Sequence, residues 1–261
     1  MKSIQNIIAG LAIIAVTASC TSGTTKTASS AKENVQAESV SSSVDHSSFD
    51  KLLKANVSSK GMVNYASFAK SKATLESYIT SLSKTNTATL SKNEKLAFWI
   101  NAYNAITIDQ IIRNYPIKSI LKIADGKVWD QTLPFKFDGR AVTLNDIEKK
   151  ILLGSDLFDA RIHFAVNCAA VSCPTLQNRA YTADNIQGLL TANTKAALAN
   201  PAFNKISASN ASLSKLFDWY KADFVKGEGS IVNFINKYSS TKINGNTKID
   251  YLEYNWDLNG N

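Results

Sequence analysis

The segment RIHFAVNCAAVSCPTL, Arg161 to Leu176, holds the residue types that thiol chemistry requires. Attack on an amide or ester carbonyl by a cysteine needs a thiolate, a base to generate it and a third group to orient the base. Cys168 and Cys173 are the candidate thiols. His163 is the candidate base, because an imidazole exchanges protons near neutrality. Glu148 is the candidate orienting carboxylate. It falls on the apolar stripe of a predicted helix, with Leu144, Ile147 and Ile151, where an unpaired charge is costly and a partner is required. Asn101 and Asn104 stand one turn apart on an otherwise apolar helix and are candidates to hold substrate or to donate to an oxyanion. Tyr103 and Arg161 complete the set of expected substrate-binding residues.

The same residues admit other readings. Cys168 and Cys173 enclose four residues, a loop that a disulfide can close with a modest entropic gain. Two thiols, His163 and Glu148 form a conceivable metal set, yet no CxxC or HxxxH spacing supports it, so neither metal nor cofactor is expected. In a purely structural network, Glu148 would pair with Arg161, and His163 would bond to Asn101 or Asn104. If Asp159–Asn167 is a strand, His163, Ala165 and Asn167 share one face and Cys168 opposes them unless the strand ends or bulges. Cys173 precedes Pro174 and is a candidate for the start of a helical turn, where amide dipoles acidify a thiol.

The surrounding elements decide these questions. SKNEKLAFWINAYNAITIDQIIRNYP reads as a long buried helix, opened by a capping box of Ser91 and Glu94 and closed before Pro116. KATLESYITSLSK is an amphipathic helix with Leu75, Tyr78, Ile79 and Leu82 on one face. SFDKLLKANV is a short helix and GMVNYASF a turn with an extended piece. KVWDQTLPFKFDGRAVTL reads as strands with a hairpin turn at Asp138-Gly139. Thr143 caps a helix through TLNDIEKKILL, and Thr182 caps one running to about Ala199. LSKLFDWYKADF and SIVNFINKYS are amphipathic helices, and KIDYLEYNWDLN is a closing strand. Trp99, Trp129, Phe217, Trp219 and Tyr220 are expected in the core. The expected fold is a single α+β domain with a helical majority, its buried central helix packed on a mainly antiparallel sheet.

The N-terminus reads as an export address. Residues 1–19 pair Lys2 with a short apolar run, Ile7 to Val16, and end in small residues before Cys20. That run is shorter than the roughly 20 residues a membrane span needs. The sequence TASC is similar to the lipobox of bacterial lipoproteins, with Thr17 in place of the usual Leu, and this implies acylation of Cys20. Residues 20–48 are nearly half Ser and Thr and read as a disordered tether. One of the chain's two histidines, His46, falls in it and is expected to be solvated and idle. The domain then occupies 49–261. Net charge is +8, but the lysines are scattered and interleave with no aromatic stripe, so a nucleic-acid partner is not expected.

LAFWINAYNAITI, TLNDIE, RIHFAVNCAAVSCPTL, LSKLFDWYKADF and the terminal YLEYNWDLN, taken in order, resemble the family known as domain of unknown function 547. Where its terminal motif more often has Asp before the Trp, this chain has Asn255. The resemblance implies a bacterial envelope or secreted setting and brings no established activity. A buried helix ahead of the histidine-bearing stretch is also similar in layout to thiol enzymes of the papain and transglutaminase type. The expected protein is a membrane-anchored lipoprotein facing the periplasm or the cell surface. Its expected activity is that of a thiol hydrolase or acyltransferase on peptide or amide bonds, with a peptide or glycan substrate. The competing class is a non-catalytic envelope binding module held by a Cys168–Cys173 disulfide.

Overall fold

The computed structural model describes residues 43–260. Residues 1–42, with the export signal, Cys20 and most of the expected tether, lie outside the described residues. The chain begins with α1 (Ser47–Asn56), α2 (Tyr65–Lys70) and α3 (Lys72–Ser83), which lead to the long helix α4 (Lys92–Asn114). The capping box forms as the sequence dictates. Ser91 Oγ accepts from the Glu94 amide, and Glu94 Oε2 accepts from the Ser91 amide at 2.8 Å.

Helix α4 is buried on nearly every side, from Leu96 to Ile112. It packs against α2, α3, the later helix Ile186–Ala199 and the π-helical turn Asp146–Leu152. The apolar face of α3 (Leu75, Tyr78, Ile79 and Leu82) is fully enclosed. Residues of this type are worth about 1.5–3 kcal/mol each when removed from water, so the α3–α4 contact is a main source of stability.

Between α4 and the cysteine stretch lies a two-stranded antiparallel hairpin, β1 (Lys136–Phe137) and β2 (Arg140–Ala141). Asp138 and Gly139 both have positive φ, 49° and 75°, the conformation of a two-residue hairpin turn whose twist matches its strands. The strands are shorter than KVWDQTLPFKFDGRAVTL suggests; Val128–Asp130 is a 3-10 turn. After α5 (Ile186–Ala199) come β3 (Lys205–Ile206) and β4 (Asn210–Leu213). Helices α6 (Leu216–Trp219), α7 (Lys221–Glu228) and α8 (Ile231–Tyr238) follow, and β5 (Lys248–Tyr251) closes a sheet of order β3-β4-β5. The β3–β4 pair is antiparallel and the β4–β5 pair parallel. The fold is α+β with a helical majority. A second apolar cluster, built on Phe164, Phe217, Phe224 and Phe234, joins α7 and α8 to the histidine-bearing segment.

Three local expectations fail. Tyr65–Lys70 is helical rather than extended, because Asn64 caps it by accepting from the Ser67 amide at 2.8 Å. Trp219 is 48% exposed. His46 is neither solvated nor part of a tether. It precedes α1, is 6% exposed, and its Nδ1 lies 2.7 Å from the Tyr78 hydroxyl. The polar residues around it hide in sequence the fact that α1 brings it against α3.

His46 yields a pH test. Burial lowers its pKa from 6.5 to about 4. The unfolded chain therefore takes up this proton before the folded one does. The associated stability is complete above pH 6.5 and is lost as pH falls towards 4, a total of about 3 kcal/mol. His46→Gln should remove that dependence. Urea unfolding at pH 7.5 and pH 4.5 checks it, and equal acid losses in the two proteins would contradict it.

Candidate functional site

His163 belongs to a 3-10 helix, Ala160–Phe164, and not to a strand. Asp159 caps it by accepting from the Arg161 amide at 2.9 Å. Strand parity therefore does not apply, and the chain turns freely from His163 towards Cys168. Both residues line one cavity of about 280 Å³, together with Cys173, Glu148, Tyr103 and a set of aromatic side chains.

The loop carrying the cysteines is fixed by asparagines. Asn104, on α4, donates Nδ2–H to the Ala165 carbonyl (3.0 Å), and its Oδ1 accepts from the Asn167 amide (2.8 Å). Asn167 Nδ2 reaches the Pro174 carbonyl at 2.8 Å, and its Oδ1 accepts from the Ala169 amide at 2.9 Å. Asn259 adds a bond to Asn167 and accepts from the Tyr65 hydroxyl at 2.7 Å. Inside this frame Ala169 adopts φ 62°, a left-handed conformation that alanine rarely takes and that the surrounding bonds must enforce. The C-terminal segment clamps the loop from outside through Val171, Ser172, Asn255 and Asp257. At its end the same segment packs on Val63, where a Cβ on Gly260 would stand 1.8 Å from the Val63 carbonyl oxygen.

Cys168 is partly exposed and Cys173 buried; both are free thiols. The Cys168 amide donates to Cys173 Sγ at 3.0 Å, and Cys168 Sγ lies 3.1 Å from the Tyr254 hydroxyl. The neighbouring Cys173 thiol lowers the Cys168 pKa; burial opposes this, while the Tyr254 hydroxyl and the Ala170 amide reinforce it. Burial pushes Cys173 well above its ordinary value, and the Cys168 sulfur adds to the rise. Cys173 begins no helix, so the acidifying dipole expected there is absent and the acidic thiol is Cys168.

His163 is 2% exposed. Its Nε2 stands 2.9 Å from Asp223 Oδ2 on α7. A carboxylate oxygen accepts, so Nε2 carries the proton and Nδ1 is left for chemistry. The Tyr220 ring lies over the imidazole at 4.1 Å between centroids. The orienting carboxylate is thus Asp223 and not Glu148. Glu148 instead accepts the Tyr220 hydroxyl at 2.8 Å, and its charge raises the pKa of Tyr103 beside it. Burial raises the pKa of both tyrosines far above the ordinary range, so each acts as a hydrogen-bond donor.

The remaining candidates fall elsewhere. Asn101 bonds both backbone groups of Tyr181, at 2.8 and 3.0 Å, and is a packing residue. Asn104 holds the cysteine loop and does not line the cavity. Arg161 pairs with Asp159 and bonds Gln187 and Thr191 in a different depression, so it neither meets Glu148 nor joins the site. Of the four substrate-binding candidates, only Tyr103 lines the cavity. The sequence reading missed Asp223 and Tyr254. Asp223 had a signal, since it sits three residues from Tyr220 and one from Phe224 in an amphipathic stretch. Tyr254 had none beyond its terminal motif. Among the described residues no group of three or more His, Cys, Asp or Glu is placed to hold a metal ion. No helix among them is long and apolar enough to cross a membrane.

Fold and cavity together define a helix-rich α+β domain in which a thiol of lowered pKa and a histidine held from behind by an aspartate face one small aromatic pocket. Residues 87–196 match the model of the family described as "Protein of unknown function, DUF547". The match spans α4, Glu148, His163 and both cysteines, and supports the resemblance seen in the motifs; Tyr220, Asp223 and Tyr254 lie beyond it. No curated protein and no solved structure matches the chain.

Proposed function

We propose that the protein is a thiol-dependent hydrolase or acyltransferase acting on amide or ester bonds, with Cys168 as nucleophile. The carrying observation is the setting of Cys168 Sγ. Cys168 is a partly exposed residue of the cavity wall, and the Cys173 thiol, the Tyr254 hydroxyl and the Ala170 amide all favour its thiolate. In this reading the Cys168 proton passes to Nδ1 of His163, which Asp223 orients through Nε2. The thiolate forms an S–C bond to the carbonyl carbon, and the carbonyl electron pair moves to oxygen. Collapse breaks the bond to the leaving amine or alkoxide, which takes the proton from His163. Water or an acceptor amine then releases the acyl group by the reverse proton path.

A panel of p-nitrophenyl esters and acyl p-nitroanilides, read by released nitrophenol or nitroaniline and by intact mass, tests this. The expected result is an acyl adduct confined to Cys168. Absence of any adduct across the panel overturns the reading. One observation favours the competing binding module: the hydrogen-bond partner of Cys168 Sγ is a tyrosine hydroxyl and not the imidazole. That reading predicts ligand binding unaffected by alkylation of Cys168.

The setting belongs to the same proposal. Acylation at Cys20 would hold the domain at the bacterial envelope, facing the periplasm or the cell surface. Cys20→Ala should move the protein from the membrane fraction to the soluble fraction. Retention in membranes would contradict the anchor.

A further inference from the structure

Glu148 is 5% exposed, and the donor bonded to it is the neutral Tyr220 hydroxyl. Among the described residues no lysine, arginine or histidine stands within ion-pair distance of it. Buried carboxylates are normally paired, because desolvation of the charge is otherwise uncompensated. This one faces the cavity that holds Cys168. His163, in the same wall, already has its own carboxylate in Asp223.

The rest of the wall is aromatic. The Trp256 ring has Tyr254 at 4.6 Å, Trp129 at 5.8 Å and Trp219 at 6.0 Å between centroids. All four rings line the cavity, as does Asp130, whose Oδ1 accepts from Asn145 Nδ2 at 2.6 Å. Tryptophan faces carry negative quadrupole density and attract cations, most strongly where water is excluded. Lys149 also lines the cavity but is exposed, where water and salt screen its charge.

We propose that this cavity recognises a protonated alkyl amine, seating the ammonium against Glu148 and the methylene stem among Trp129, Trp219 and Trp256. The volume of about 280 Å³ suits a short amino-alkyl group rather than a folded partner. A sugar hydroxyl would leave the carboxylate without a counter-charge, and an anionic group would meet Glu148 and Asp130. The proposal rests on the thiol-transfer reading only for its consequence: substrates would be acyl compounds bearing a free amine within a few bonds of the scissile carbonyl.

The test uses pentylammonium chloride against 1-pentanol and sodium pentanoate at pH 7, titrated by tryptophan fluorescence and by the shift in Tm. Wild-type and Cys168→Ala proteins should both bind pentylammonium at least about tenfold more tightly than pentanol, with pentanoate weakest. Glu148→Gln should bring ammonium and alcohol within about twofold. Equal binding of ammonium and alcohol by the wild type overturns the proposal even if Glu148→Gln fails to fold, and so does an ammonium preference kept in a folded Glu148→Gln protein. Preference kept in Cys168→Ala, with no acyl adduct formed by the wild type, would sink the thiol reading and leave amine recognition standing.

Discussion

Cys168→Ala should reduce acyl transfer by the purified protein to background, a loss of about a thousandfold or more, since no second group can replace an attacking sulfur. The neighbouring substitution separates this from general damage. Cys173→Ala removes the thiol that most lowers the Cys168 pKa but leaves the attacking sulfur, Tyr254 and the Ala170 amide. It should retain measurable turnover, with a rate that needs a higher pH to reach its plateau. His163→Ala should cost on the order of a hundredfold or more, as loss of a positioned base does. Asp223→Asn should also lower the rate, because the imidazole loses the carboxylate that sets its tautomer. Rates for Cys168→Ala and wild type within a few-fold of each other would place the chemistry elsewhere.

The second large effect is structural. Asn104→Leu leaves the Ala165 carbonyl and the Asn167 amide without partners inside the core, where Asn104 is 2% exposed. Each of the two orphaned groups costs about 1–3 kcal/mol, so the expected loss is about 2–6 kcal/mol, or roughly 4–24 °C in Tm for a domain of this size. The loop should also loosen, because Asn104 holds Asn167, and Asn167 holds Ala169 and Pro174, the residues that directly follow the two cysteines. Cys173, buried in the native fold, should then react with iodoacetamide in the folded variant. An unchanged Tm together with a protected Cys173 would show that other bonds fix the loop.

Legibility in the sequence followed the range of the interaction. Helix α4 was plain, since its capping box and its apolar run over Leu96–Ile112 are local signals that tertiary packing reinforces. The apolar face of α3 was plain for the same reason. The segment around His163 was not. A short apolar run looks alike as a strand or a buried helical turn, and periodicity cannot separate them over five residues. The cysteines, His163 and Glu148 line one cavity, but the partners that bond them were not legible. Asp223 comes from α7 and Tyr254 from the C-terminal segment, 60 and 86 residues beyond the groups they touch. Only the packing of the second aromatic cluster and the clamp on the cysteine loop bring them in. His46 shows the converse error: a serine-rich neighbourhood read as solvent, where a single bond to Tyr78 and the burial of α1 make it part of the core.

The most direct test of the central claim is the pH dependence of iodoacetamide labelling at Cys168, followed residue by residue by mass spectrometry in native protein. The structure predicts that Cys168 labels with a midpoint below the ordinary thiol value, while Cys173 stays protected across the range. Tyr254→Phe should move the Cys168 midpoint upward, because the thiolate loses a hydroxyl donor. A Cys168 midpoint at or above the ordinary value, or no labelling until a reductant opens a Cys168–Cys173 bridge, would contradict the account.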